Sequence, residues 1–170
     1  MRNFKVKDIR TRKFEKPTTI FICDPCYIFD YTKPGLDEEW QAFVEKMFPE
    51  GSKTTKVNRL NIAEAGTLEI AGATMLYTST AYGDGQYSVQ APGETAHYDG
   101  IMVDAGMICV ISEESAMRIN PEFNHKKAVS MGAVVYNFQG EVEATGKGFT
   151  GDLTVDTEDE SEDQEDEDDL

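Results

Sequence analysis

The chain has no long hydrophobic run. None of its 170 residues lie in a stretch approaching the roughly 18 apolar residues of a membrane span. The basic N-terminus lacks the apolar core of a secretory signal. Cysteine is scarce, and three is an odd number, which argues against a disulfide framework. The two histidines, His97 and His125, fall in polar stretches that read as exposed loops, so a Cys–His nucleophile pair has little support. There is no repeat with a period of about 20–50 residues. There is no strand–helix alternation of the kind that builds a parallel nucleotide-binding sheet. Gly83-Asp84-Gly85 lacks the following helix and lysine of a phosphate-cradling loop. These absences lead us to expect a protein of a reducing cytoplasm, with no cofactor, no membrane partner and no direct contact with nucleic acid.

What is present is charge, unevenly placed. The formal net charge is −16. From Asp152 to Leu170 there are twelve acidic residues and no Lys or Arg, leaving about −4 for Met1–Gly151. The first sixteen residues lean the other way, with Arg2, Lys5, Lys7, Arg10, Arg12, Lys13 and Lys16 against Asp8 and Glu15. The expected organisation is a basic arm or edge strand at 1–16, a single β-rich domain at 17–151, and a disordered acidic tail at 152–170 held open by self-repulsion.

Within the body, Thr18–Cys23 is β-branched and aromatic and reads as a central strand. Pro25 interrupts it, and Tyr27–Phe29 reads as its continuation. Trp40, Phe43, Val44 and Met47 share one face at helical period, predicting an amphipathic helix over about 37–48 with Asp37 as its cap. From Thr67 onward, short apolar segments alternate with glycine turns: 67–70, 74–80, 86–90, 101–104, 107–111, 128–136 and 141–145. Ser112–Arg118 reads as a helical turn. The fold class is α+β and β-rich, an antiparallel sandwich or partly open barrel with one packed helix.

The corner Cys23-Asp24-Pro25-Cys26 is the natural place to look for chemistry. Cys23 and Cys26 have metal-ligand spacing, but zinc needs two more ligands, and Cys109, His97 and His125 form no second close pair. A redox pair needs a cysteine at a helix N-terminus, whereas strand is expected after Cys26. We favour two small buried side chains at a proline-set corner. A small hydrolase or metal-binding enzyme sited there would use Asp24, Cys26, Asp84, Asp104 and His97; Asp84 and Asp99, beside glycines, also read as turn residues.

The order Cys23-Asp24-Pro25-Cys26-Tyr27, Trp40 on a helix, Thr80-Ala81-Tyr82-Gly83-Asp84-Gly85-Gln86-Tyr87 and Val103-Asp104-Ala105-Gly106 resembles a group of small phage and bacterial proteins of unassigned activity. The likeness covers roughly residues 18–111 and leaves out the acidic tail. Where many of those proteins have Gly before Asp-Pro-Cys, this chain has Cys23. The resemblance implies a host-takeover role, in which a small acidic protein inhibits a host enzyme with a basic working surface, such as a nuclease, polymerase, restriction factor or ATP-dependent protease. A phage accessory or structural protein is a further alternative. Closely spaced carboxylates approach the charge density of a nucleic-acid backbone, so the tail can mimic one. The expected partner-binding residues are therefore Glu158, Asp159, Glu160, Glu162, Asp163, Glu165, Asp166, Glu167, Asp168 and Asp169, acting on a protein with a basic surface.

Overall fold

The structure, a computed structural model, describes residues 2–30, 32–48, 56–57, 60–90 and 100–158. In chain order the elements are β1 (Phe4–Lys7), β2 (Thr11–Cys23), α1 (Pro25–Ile28), α2 (Leu36–Met47), β3 (Lys56–Val57), β4 (Leu60–Asn61), β5 (Ala65–Ile70), β6 (Ala73–Ser79), β7 (Gly85–Tyr87), β8 (Ile101–Val103), β9 (Met107–Ser112), α3 (Glu113–Ile119), α4 (His125–Ser130), β10 (Val134–Ala144), β11 (Gly148–Gly151) and β12 (Val155–Asp156). Eight strands form one antiparallel sheet in the order β1-β5-β6-β9-β2-β10-β11-β12; β3–β4 and β7–β8 are separate ribbons. No described helix is long and apolar enough to cross a membrane.

The run Ile20-Phe21-Ile22-Cys23 is continuously apolar because both faces of the central sheet are covered. Phe21 and Cys23 join Cys109, Ile111 and Tyr77 beneath the helices, where α2 contributes Phe43 and Met47 and α3 contributes Ala116 and Ile119. Ile20 and Ile22 join Ile108, Val110 and Leu76 on the other face, covered by Tyr87, Ile101 and Val103 of the β7–β8 ribbon and by Phe149, Leu153 and Val155. Each large apolar side chain buried this way stabilises the fold by about 1.5–3 kcal/mol.

The sheet curls, as in the partly open barrel among the expected architectures. Thr78, fully buried at the end of β6, accepts the amides of Gly146 (3.0 Å) and Gly148 (3.2 Å) through Oγ1. The far strands β10 and β11 thus fold back over β6. Gly148 has φ +139°, and a Cβ there would stand 1.8 Å from the Val155 carbonyl, so this approach requires glycine.

Several local expectations are corrected. Tyr27–Phe29 does not resume a strand: Asp24 accepts the Cys26 amide and Pro25 sits at the first helical position, so a local cap overrides β propensity. Residues 128–136 are not one strand: Asn124 caps α4 through the Lys127 amide, and β10 begins after a turn at Gly132. The glycine turn expected between segments 128–136 and 141–145 is absent: Gln139-Gly140 is a register shift within β10, opposite residues 15–17 of β2. That shift is where Pro17 is accommodated inside β2, which therefore absorbs residues 11–16. The α2 cap is Gly35, without a side-chain bond, and Asp37 lies in the first turn. Ser112 caps α3 by accepting the Ser115 amide, as the helical-turn reading requires.

Candidate functional site

The β2 strand ends by burying Asp24 completely. Its Oδ1 accepts the Cys26 amide at 2.9 Å, and its Oδ2 accepts the amides of Asp104 (2.6 Å) and Ala105 (2.7 Å) in the β8–β9 turn. Burial pushes the Asp24 carboxyl up, and the three amides pull it back. Tyr27 donates its hydroxyl to the Asp104 carboxylate, giving a second tie between α1 and the same turn. Burial, then that hydrogen bond, raises the Tyr27 phenol well above its ordinary value.

The thiols do not pair as their spacing suggests. Cys23 faces Cys109 across the β2–β9 ladder, with 4.0 Å between the sulfurs and both side chains buried. Cys26 is half-buried; burial, then the Asp24 charge, pushes its thiol far up, which favours the protonated form. A helix rather than the expected strand follows the corner, so Cys26 does lie in the first turn of α1, but its thiol is pushed up, opposite to what a redox pair needs.

Of the remaining candidates, Asp104 joins the corner and Asp84 stands exposed on the neighbouring turn. The two turns abut: the Thr80 amide reaches the Gly106 carbonyl at 3.2 Å, and Tyr87 closes the Asp84 turn onto the Gly83 carbonyl at 2.9 Å. His97 and Asp99 lie outside the described residues. His125 is exposed at the start of α4, remote in sequence from the corner. Among the described residues, no group of three or more His, Cys, Asp or Glu side chains is placed to hold a metal ion.

The acidic segment does not begin at Asp152. Leu153, Val155 and Thr157 are buried, and β12 pairs with β11. Thr157 donates its hydroxyl to the Lys147 carbonyl (2.6 Å) and accepts the Ala81 amide (2.8 Å). Glu158, expected to meet a partner, is bound to Lys147 at 3.1 Å. Asp159 to Asp169 lie outside the described residues.

One ionic site escaped the sequence reading. Glu39 is 3% exposed, and Arg2 grips both its oxygens at 2.8 Å while donating to the carbonyls of Arg118 and Ile119. The signal was there: position 39 is one helical turn before Phe43 and two before Met47, on the buried face. No family model, no curated protein and no solved structure matches the chain.

Proposed function

We propose that the chain is a non-enzymatic binding module for a protein with a basic surface, with its C-terminal carboxylates providing the electrostatic contact. The observation that carries this reading is the contrast at Glu158. Residues 153–158 are packed or hydrogen-bonded to the domain, and the last twelve residues of the sequence hold nine acidic side chains and no Lys or Arg. Such a segment occupies basic grooves and speeds association, with strong salt dependence. A hydrolase at the corner is less favoured, because backbone amides already occupy both Asp24 oxygens and the neighbouring thiol is held protonated. The resemblance to phage proteins makes a host nuclease, polymerase or protease the first class of partner to screen.

The test is affinity capture from bacterial lysate with the full chain and a chain ending at Glu158, each at low and high salt. A basic protein should be held by the full chain at low salt, and released both by high salt and by loss of the segment. Equal retention by the two chains at low salt would remove the segment from the function.

A further inference from the structure

Cys23 and Cys109 face one another in the middle of the sheet, on β2 and β9, the fifth and fourth strands in its order. The ladder between those strands has four residue pairs, whereas β2 and β10 share nine. The two halves of the sheet therefore meet at a short seam, and the two thiols stand at its end. Their sulfurs are 4.0 Å apart, although the residues are 86 positions apart in the chain. Directly opposed residues of antiparallel strands carry Cβ atoms about 4.5–5.5 Å apart. A disulfide needs a Cβ separation of about 3.5–4.5 Å and an S–S bond of about 2.0 Å. Rotation of the two side chains, with a small approach of the strands, closes that difference.

Cys26 is the rival partner, three residues from Cys23. Its backbone has left the ladder, because Asp24 caps α1 and places Cys26 in the first turn. It is half-buried, whereas Cys23 and Cys109 are enclosed beside Tyr77, which pairs with Cys109 from β6. The enclosed pair suits a neutral bond better than a metal ion. A soft cation would need thiolates, and burial, then the Cys23 hydrogen bond, raises the Cys109 thiol well above its ordinary value. A disulfide carries no charge into the core.

We propose that the native fold makes Cys23 and Cys109 a redox-dependent cross-link: when the chain folds in an oxidising thiol buffer it selects this disulfide over either pairing with Cys26, and then seals it from exchange. With glutathione disulfide as the oxidant, one protein thiolate attacks the S–S bond, forms a mixed disulfide and expels one glutathione. The second protein thiolate then displaces the other glutathione. One S–S bond forms in the protein, one breaks in the reagent, and the two protein protons end on the two glutathione thiols. Each exchange step needs a thiolate with access to a disulfide sulfur, so burial protects either redox state once folding is complete. The bond therefore records the conditions under which the chain folded. It uses no carboxylate, so it stands or falls separately from the binding role proposed above.

Refolding tests this. The reduced full chain is unfolded in urea and diluted into a mixture of reduced and oxidised glutathione. Free thiols are alkylated, mild acid cleaves the Asp24–Pro25 bond to separate Cys23 from Cys26, and linked peptides are mapped by mass spectrometry. The Cys23–Cys109 link should be several-fold more abundant than the two Cys26 pairings together, and Cys26→Ser should form it equally well. A majority of either Cys26 pairing, of glutathione adducts or of free thiols would overturn the proposal. By linkage, a bond that the fold favours must stabilise the fold, so the cross-linked protein should unfold at a higher urea concentration than the reduced one. A midpoint no higher would also overturn it. Dithiothreitol should leave the bond intact in the native protein over a time that suffices to reduce the unfolded chain, and equal rates would overturn the sealing.

Discussion

The Asp24 carboxylate and the Asp104 amide, 80 residues apart in the chain, lie 2.6 Å from one another. With the amides of Ala105 and Cys26, this contact makes a buried acid the splint between β2, α1 and the β8–β9 turn.

Replacing Asp24 with Ala should therefore cost stability. Three amide donors lose their acceptor, and unmet buried donors cost about 1–3 kcal/mol. We expect Asp24→Ala to lower the urea unfolding free energy by about 2–3 kcal/mol. Asp24→Asn, which keeps one carbonyl acceptor, should cost less. Wild-type stability in Asp24→Ala would mean that the acid is not needed for the fold.

The Arg2–Glu39 pair sets an acid-sensitive contribution. The Arg2 hydrogen bond holds the Glu39 carboxyl below the ordinary glutamate value of 4.5, against the opposing effect of burial. A lowered folded pKa stabilises fully above the unfolded value and loses that contribution as pH falls through the folded value. Glu39→Gln should therefore be less stable than wild type near neutrality, and its stability should fall less steeply between about pH 5 and pH 3. Because Arg2 is 39% exposed, the neutral-pH loss should be only about 1–2 kcal/mol. Parallel pH–stability curves for the two proteins would refute the assignment.

Chain ends placed seven residues apart should separate structure from electrostatics. Ending at Glu158 keeps every buried residue among those described and should leave the thermal midpoint within about a degree. Ending at Gly151 removes Leu153, Val155 and Thr157, all buried. Loss of two apolar side chains at about 1.5–3 kcal/mol each should lower the midpoint by about 6–24 °C or prevent folding. Calorimetry of the two proteins decides this, and equal midpoints would contradict the packing of β12.

Thiol labelling should be slow in the native state. Burial raises the thiol pKa of both Cys26 and Cys109, and Cys23 is enclosed beside Cys109. At neutral pH a colourimetric disulfide reagent should titrate none of the three thiols within minutes, and all three once the chain is unfolded. Rapid native reaction at Cys26 would show that the corner opens.

The amino-acid order by itself determined the elements whose signals are local. The run 18–23 is a central strand, the 40-43-44-47 stripe a helix, and 112–118 a helical turn, as the local pattern predicts. The concentration of charge after Glu158 is likewise a property of sequence alone. Tertiary structure decided what depends on partners distant in the chain. Cys23 belongs with Cys109 rather than Cys26 because adjacent strands, not adjacent residues, share a face. Asp24 became structural because the turn at 104–105 brought it two amides that no local pattern announces. Residues 152–158 belong to the packed domain because Phe149, Leu153 and Val155 close the second core and Thr157 finds Ala81, a contact that exists only once the sheet has curled.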